Sequence, residues 1–120
     1  MGRGTNISFY LRNDSVHIFV DALRSIDNPK FVRFLFNTSE MKMIMQPYHK
    51  KEFITFRVPS GIYSEDTPYK PFRLRSKALC DILSSQMGWD KGLSYRVPGE
   101  IYSAQRIVRF DLNKASPILH

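Results

Sequence analysis

Seven arginines of this 120-residue chain occupy positions that alternate with apolar residues. Arg33, for example, stands between Val32 and Phe34, which is the pattern of a strand with one buried face. A guanidinium on the opposite face can pair with a phosphate or stack on a base, and an aromatic ring among such groups adds a stacking surface. The candidate nucleic-acid-binding residues are Arg12, Arg33, Arg57, Arg73, Arg75, Arg96, Arg109 and Tyr10.

An ordinary solvated sheet face is the other interpretation of these arginines, with cross-strand ion pairs to Glu52, Glu100 or Asp111. The chain has 18 basic and 11 acidic residues, which gives a formal net charge of +7. The excess is shared by both halves of the sequence and forms no basic tail. This balance favours a polyanionic partner without specifying which one.

Three methionines at alternate positions, Met41, Met43 and Met45, form a second candidate site. Thioether side chains are flexible, so a methionine-rich strand face can adapt to a protein partner, although the same stripe can equally pack inside a core. If residues 41–46 or 105–112 form an edge strand, their main-chain groups can also pair with a second copy. The alternative function is therefore a protein-interaction module, a homodimer or an adaptor.

Residues that could perform catalysis or bind a metal are few. His17, His49 and His120 have no cysteine or histidine at metal-ligand spacing, and the sequence has no glycine-rich phosphate loop or nucleophile elbow. His17 and Asp21, four residues apart, are expected to form a local surface pair. Cys80 has apolar neighbours and is expected in the core. We therefore predict a non-enzymatic binding protein with no cofactor and no metal.

No apolar run approaches the roughly 20 residues that cross a bilayer, and the first residues lack the apolar block of a signal peptide. The single cysteine cannot form an intramolecular disulfide. We expect a cytoplasmic protein without a membrane partner.

Hydrophobic spacing predicts the elements that position these residues. Alternation predicts strands at 7–12, 31–37, 41–46, 53–59, 72–75, 93–97 and 105–112, and helical spacing predicts a helix over 15–27. Ser76 and Gly88 are suited to begin and end a second helix. The predicted fold is α+β, an antiparallel sheet with two helices packed on one face. It is one domain over residues 1–120, with two strand-helix-strand units at about 5–59 and 70–114 and a linker at about 60–70.

Two internal similarities leave a duplication open. Val20–Ser25 is similar to Cys80–Ser85, and Phe56–Ser64 is similar to Tyr95–Ser103. The offsets are 60 and 39 residues, so a simple tandem copy does not explain both.

The series strand, helix, strand, tight turn, strand, polar corner, strand, followed by strand and helix again, resembles one domain of a DNA sliding clamp (processivity factor). Residues Met41–His49 stand where clamps carry the strand and corner before the next edge. The resemblance is topological and covers most of the chain. It implies a clamp-like domain and an association with DNA, and because no clamp motif matches residue by residue, it transfers no functional residue.

Overall fold

The computed structural model describes residues 3–50, 54–64 and 71–119. Within these residues an antiparallel sheet accompanies two α-helices and several short 3-10 turns. The elements in chain order are β1 Arg3–Tyr10, β2 Ser15–Phe19, α1 Val20–Arg24, β3 Phe31–Asn37, β4 Lys42–Tyr48, β5 Thr55–Arg57, β6 Pro71–Arg75, α2 Lys77–Met87, β7 Ser94–Tyr102, β8 Ile107–Asp111 and β9 Ser116–Pro117.

The described strands lie in the order β5-β3-β4-β8-β7-β1-β2-β6, and β9 adds a short third pairing to β7. All pairings are antiparallel. The pair β7 and β8 separates β1 and β2 from β3, β4 and β5, so the strands of the two predicted units are interleaved in one sheet.

The registers place the apolar residues of neighbouring strands on one side, which we call the inner face. Phe9 pairs with Val16, Ile7 with Val97, and Met45 with Val108. These side chains belong to one buried cluster, to which α1 contributes Leu23 and α2 contributes Leu79 and Leu83, among others. The sequence prediction of an α+β fold built on an antiparallel sheet agrees with this arrangement. The residues that alternate with the inner face form the outer face, where six of the seven candidate arginines lie.

The second helix agrees closely with its prediction. The Ser76 side chain accepts a hydrogen bond from the Leu79 amide at 3.1 Å, and Gly88 ends α2 in the left-handed conformation with φ 66°. Only glycine adopts this conformation without steric cost, so the sequence specifies both ends of the helix.

The predicted helix over 15–27 is wrong for its first five residues, which form β2. Val16 and Ile18 point inward and are fully buried, while His17 points outward. Only Val20–Arg24 is α-helical. Apolar residues at 16, 20 and 23 fit a helix, but residues 16, 18 and 20 also alternate, and β2 obtains main-chain partners from both β1 and β6.

Three hairpins share one type of connection. Each pair β1–β2, β3–β4 and β7–β8 is joined by four residues, the last of which is left-handed: Asp14 with φ 53°, Met41 with φ 55° and Arg106 with φ 57°. A left-handed residue after a short 3-10 turn closes the first and third loops tightly. The repeated unit of this fold is therefore a hairpin.

The predicted edges at 41–46 and 105–112 are wrong, because β4 lies between β3 and β8, and β8 between β4 and β7. Met43 and Met45 are fully buried on the inner face, and Met41 is half-buried in the β3–β4 turn. The core interpretation of the methionine stripe therefore holds for Met43 and Met45, and neither offers a partner surface in this fold. Among the described strands, β5 and β6 are the ends of the sheet.

Candidate nucleic-acid interface

Six of the seven candidate arginines lie on strands, at positions that alternate with buried residues. They are Arg33, Arg57, Arg73, Arg75, Arg96 and Arg109. Arg12 departs from its prediction, because β1 ends at Tyr10 and Arg12 lies in the following 3-10 turn. Its Nη2 atom donates a hydrogen bond to the Gly92 carbonyl at 3.3 Å. Tyr10 is on the outer face, as expected from its position in β1.

Four side chains lie in register across neighbouring strands on the outer face. Arg73 of β6 is opposite His17 of β2, His17 is opposite Ser8 of β1, and Ser8 is opposite Arg96 of β7. We call these four residues the arginine row. Three steps between strands place the backbones of Arg73 and Arg96 about 14 Å apart. Arg75 lies two residues farther along β6, opposite Ser15.

An aromatic pair lies beside the row. The rings of Tyr10 and His17 are 4.4 Å apart between centroids and inclined by 44°. His17 Nε2 is 3.2 Å from the Ser15 hydroxyl oxygen. Phe19, at the end of β2, is 36% exposed and adds a third ring to this side of the sheet. A cavity of about 200 Å³ opens between these rings and Arg96.

The row carries positive charge that no carboxylate of the described residues neutralises. Within residues 3–50, 54–64 and 71–119, Arg73, Arg75 and Arg96 form no ion pair. Burial, followed by the repulsion of Arg73, lowers the pKa of His17 below its ordinary value of 6.5. The imidazole is therefore neutral at pH 7, and the charge of the row comes from its arginines.

The other outward arginines of the central strands are engaged by neighbours. The Arg33 guanidinium lies 4.3 Å above the Tyr48 ring, and with the Gln46 amide turned toward it, Arg33 Nε and Nη2 each donate to the amide oxygen at 2.7 Å. Arg109 lies 5.4 Å from the centre of the Tyr102 ring and opposite Glu100. Such contacts hold a guanidinium in place beside a ring.

Two carboxylates, Glu100 and Asp111, lie on the same face as Arg109, although neither forms an ion pair with it. Tyr102 donates to Glu100 at 2.9 Å, and this hydrogen bond raises the pKa of the tyrosine. Lys42 and Asp111, which face each other across β4 and β8, are 3.5 Å apart. Among the described residues, Asp111 pairs with Lys42 and Glu100 accepts from Tyr102, so neither forms the arginine ion pair expected from the sequence. The third expected partner, Glu52, lies outside the described residues.

Sequence reasoning missed His17, Ser8 and Phe19 as members of this surface. It placed His17 on a helix with Asp21, but His17 is on β2 and Asp21 forms an ion pair with Arg3 at 3.1 Å. The alternation of residues 15–19 was the signal that could have found them, because it brings His17 and Phe19 to the same face as Tyr10.

Nothing in the described part of the chain indicates a metal or nucleophilic site. No group of three or more His, Cys, Asp or Glu residues comes together there. Cys80 is buried, and burial is the main cause that raises the pKa of its thiol to about 12. The thiol is therefore protonated at neutral pH and unreactive.

Comparison with protein families, curated proteins and solved structures finds no match to this chain. Across the described residues, no helix has the length and apolar character needed to span a membrane.

Proposed function

We propose that this protein binds nucleic acid, without catalysis, through the outer face of β6, β2, β1 and β7. Arg73, Arg75 and Arg96 are the phosphate contacts of the proposal. The observation that supports it best is the arginine row, in which two guanidinium groups without acidic partners among the described residues flank a pair of aromatic rings.

The arginines of the row and the net charge of the chain each contribute to such binding. A guanidinium donates two parallel hydrogen bonds to a phosphate, and the attraction persists at any physiological pH. Contacts to phosphates carry no sequence information, so we expect little sequence preference. The net charge of +7 adds long-range attraction that brings a polyanion to the surface.

The alternative function is a protein interface at the edges of the sheet. β5 has three residues, and β6 carries Arg73 and Arg75 on the face beside its edge. Short strands and charged side chains are features that prevent sheets from pairing edge to edge. These features favour nucleic-acid binding over a homodimer formed by strand pairing.

The resemblance to a sliding-clamp domain stays a prediction, and so does the packing of both helices on one face that the hydrophobic spacing indicates. The proposal does not require a ring around DNA, because its contacts lie on the outer face of one sheet.

A salt titration of binding tests the proposal. Fluorescent oligonucleotides should bind at low salt, and each phosphate contact should contribute about 0.7–0.9 to the slope of log affinity against log salt. The double variant Arg73→Glu with Arg96→Glu should abolish binding. Arg109→Glu, with the same change of charge per residue on the carboxylate-rich end, should retain more of it. Absence of binding at low salt, or binding that salt does not weaken, contradicts the proposal.

A further inference from the structure

The cavity beside the arginine row has an unusual lining for the outer face of a sheet. Tyr10, His17 and Phe19 contribute rings, while Asn6 and Ser8 contribute polar groups. Within the described residues, the side chains of Asn6 and Ser8 make no hydrogen bond, so their donors and acceptors are available to a ligand. Arg96 lies at one side of this cavity.

The size of the cavity limits what it can hold. Its volume is about 200 Å³, below the range of about 300–1,000 Å³ that is typical of sites for drug-sized ligands. One planar heterocycle with polar edges matches both this volume and the lining of rings and hydrogen-bonding groups. A base inside a duplex is stacked on both sides, and only an unstacked base presents its flat faces to protein rings.

We propose that this cavity receives one nucleobase of a single strand, so that the protein prefers single-stranded nucleic acid to a duplex. The inference rests on the proposed function, because the phosphates on either side of the base are the ligands of Arg73 and Arg96. Charge complementarity supports this occupant: Arg96 lines the cavity and Arg73 lies opposite His17, one of its rings, so a phosphate on each side of the bound base can meet a guanidinium.

Three ligands separate the contribution of the base from that of the backbone. They are an oligodeoxythymidine, a duplex hairpin with the same number of phosphates, and an abasic oligomer of the same length. The single strand should bind more tightly than the other two, by about fivefold or more, which is the effect of stacking one base on an aromatic side chain.

Tyr10→Leu removes a ring of the cavity while it keeps an apolar side chain. It should lower the affinity for oligodeoxythymidine by about fivefold and leave the affinity for the abasic oligomer unchanged. Tyr102→Leu is the matched control, since Tyr102 precedes the β7–β8 turn as Tyr10 precedes the β1–β2 turn. Phe19→Ser, at an exposed ring, provides a second variant if Tyr10→Leu fails to fold.

The outcomes separate the two proposals. If all three ligands bind equally and Tyr10→Leu and Phe19→Ser have no selective effect, the base site is overturned and phosphate binding stands. A preference for the duplex also overturns the base site. If no ligand binds at low salt, both proposals are overturned.

Discussion

The hairpins β1–β2 and β7–β8 have matching turns and carry different outward charges. Tyr10 precedes the first turn with φ −100° and ψ 84°, and Tyr102 precedes the second with φ −113° and ψ 82°. The left-handed residues that end the turns, Asp14 and Arg106, also agree within 10° in both angles. The two hairpins are therefore structural equivalents at a spacing of 92 residues.

The difference lies in the outward side chains. His17 in the first hairpin corresponds to Arg109 in the second, and Ser8 corresponds to Glu100. The first hairpin thus has a neutral centre between two arginines of neighbouring strands, whereas in the second Glu100 lies opposite Arg109 without an ion pair between them. The same scaffold presents a surface without carboxylates in one place and a surface of mixed charge in the other, and single residues determine which.

The largest effect is expected at an inward position where the two hairpins differ in side-chain size. Ile7 of the first corresponds to Gly99 of the second. A Cβ atom at Gly99 would lie 2.5 Å from Phe110 Cδ1 and 2.8 Å from the Arg109 carbonyl oxygen. Gly99→Ala should therefore lower the free energy of unfolding by about 1–3 kcal/mol, as overpacking does, measured by urea denaturation.

Gly4→Ala is the control for this prediction, because a Cβ atom there meets nothing within 4 Å. Its effect should stay within about 0.5 kcal/mol. Equal stabilities for the two variants would show that the Phe110 ring can make room for a side chain at Gly99. The two hairpins would then tolerate similar side chains at this inward position.

Local signals in the sequence were sufficient for some elements. Strand β3 occupies the predicted range 31–37, and α2 lies between its predicted caps. Local signals failed for β2. There the choice between strand and helix depends on pairing with β1, across a turn, and with β6, which is distant in sequence. The similarities at offsets of 60 and 39 also missed the hairpin repeat, whose offset is 92 residues. Its trace in the sequence is faint: Phe9, Tyr10 and Val16 of the first hairpin correspond to Ile101, Tyr102 and Val108 of the second.

The candidate site was predictable in part. Alternation identified six outward arginines, because strand geometry determines which face each one occupies. It could not distinguish Arg96 from Arg109, since the register between strands decides which arginine has a carboxylate neighbour. Glu100 and Arg109 are opposite each other only because the β7–β8 turn has four residues.

Exchanging one charge between the hairpins tests this distinction. Ser8→Glu introduces, between His17 and Arg96, the carboxylate that Glu100 supplies to the second hairpin. Loss of one charge-assisted phosphate contact should lower oligonucleotide affinity about tenfold at low salt, and the salt slope should fall by about 0.7–0.9. Glu100→Ser should not weaken binding.

The control is Gln86→Glu, which changes the net charge equally at an exposed position of α2. Its effect on affinity should be much smaller than that of Ser8→Glu. Similar losses for the two variants would mean that overall charge governs binding and that the position of the row is irrelevant.

The smallest expected effect is the pH dependence of oligonucleotide binding. It follows from the difference between His17, which can lose its proton, and the equivalent Arg109, which is always charged. The groups facing His17 are Tyr10 and Ser8 of β1 and Arg73 of β6, with Ser15 on its own strand. None of them is a carboxylate, and burial and Arg73 lower the pKa of His17. In the absence of ligand, the imidazole of His17 therefore binds a proton more readily in the unfolded chain than in the folded protein. Protonation of His17 should accordingly lower the free energy of unfolding as the pH falls below about 6.5.

Without ligand, the folded protein favours the neutral form of His17. A bound polyanion has the opposite effect, because its phosphates stabilise the positively charged imidazolium. Oligonucleotide affinity should therefore rise as the pH falls from 7.5 to 5, by about fivefold, the value of one charge pair near 4 Å in water. His17→Gln should remove this rise. His17→Arg should also remove it while binding more tightly at pH 7.5, since it gives the first hairpin the permanent charge of the second. If the rise persists in His17→Gln, the titrating group is elsewhere and the phosphates of the bound polyanion do not lie beside His17.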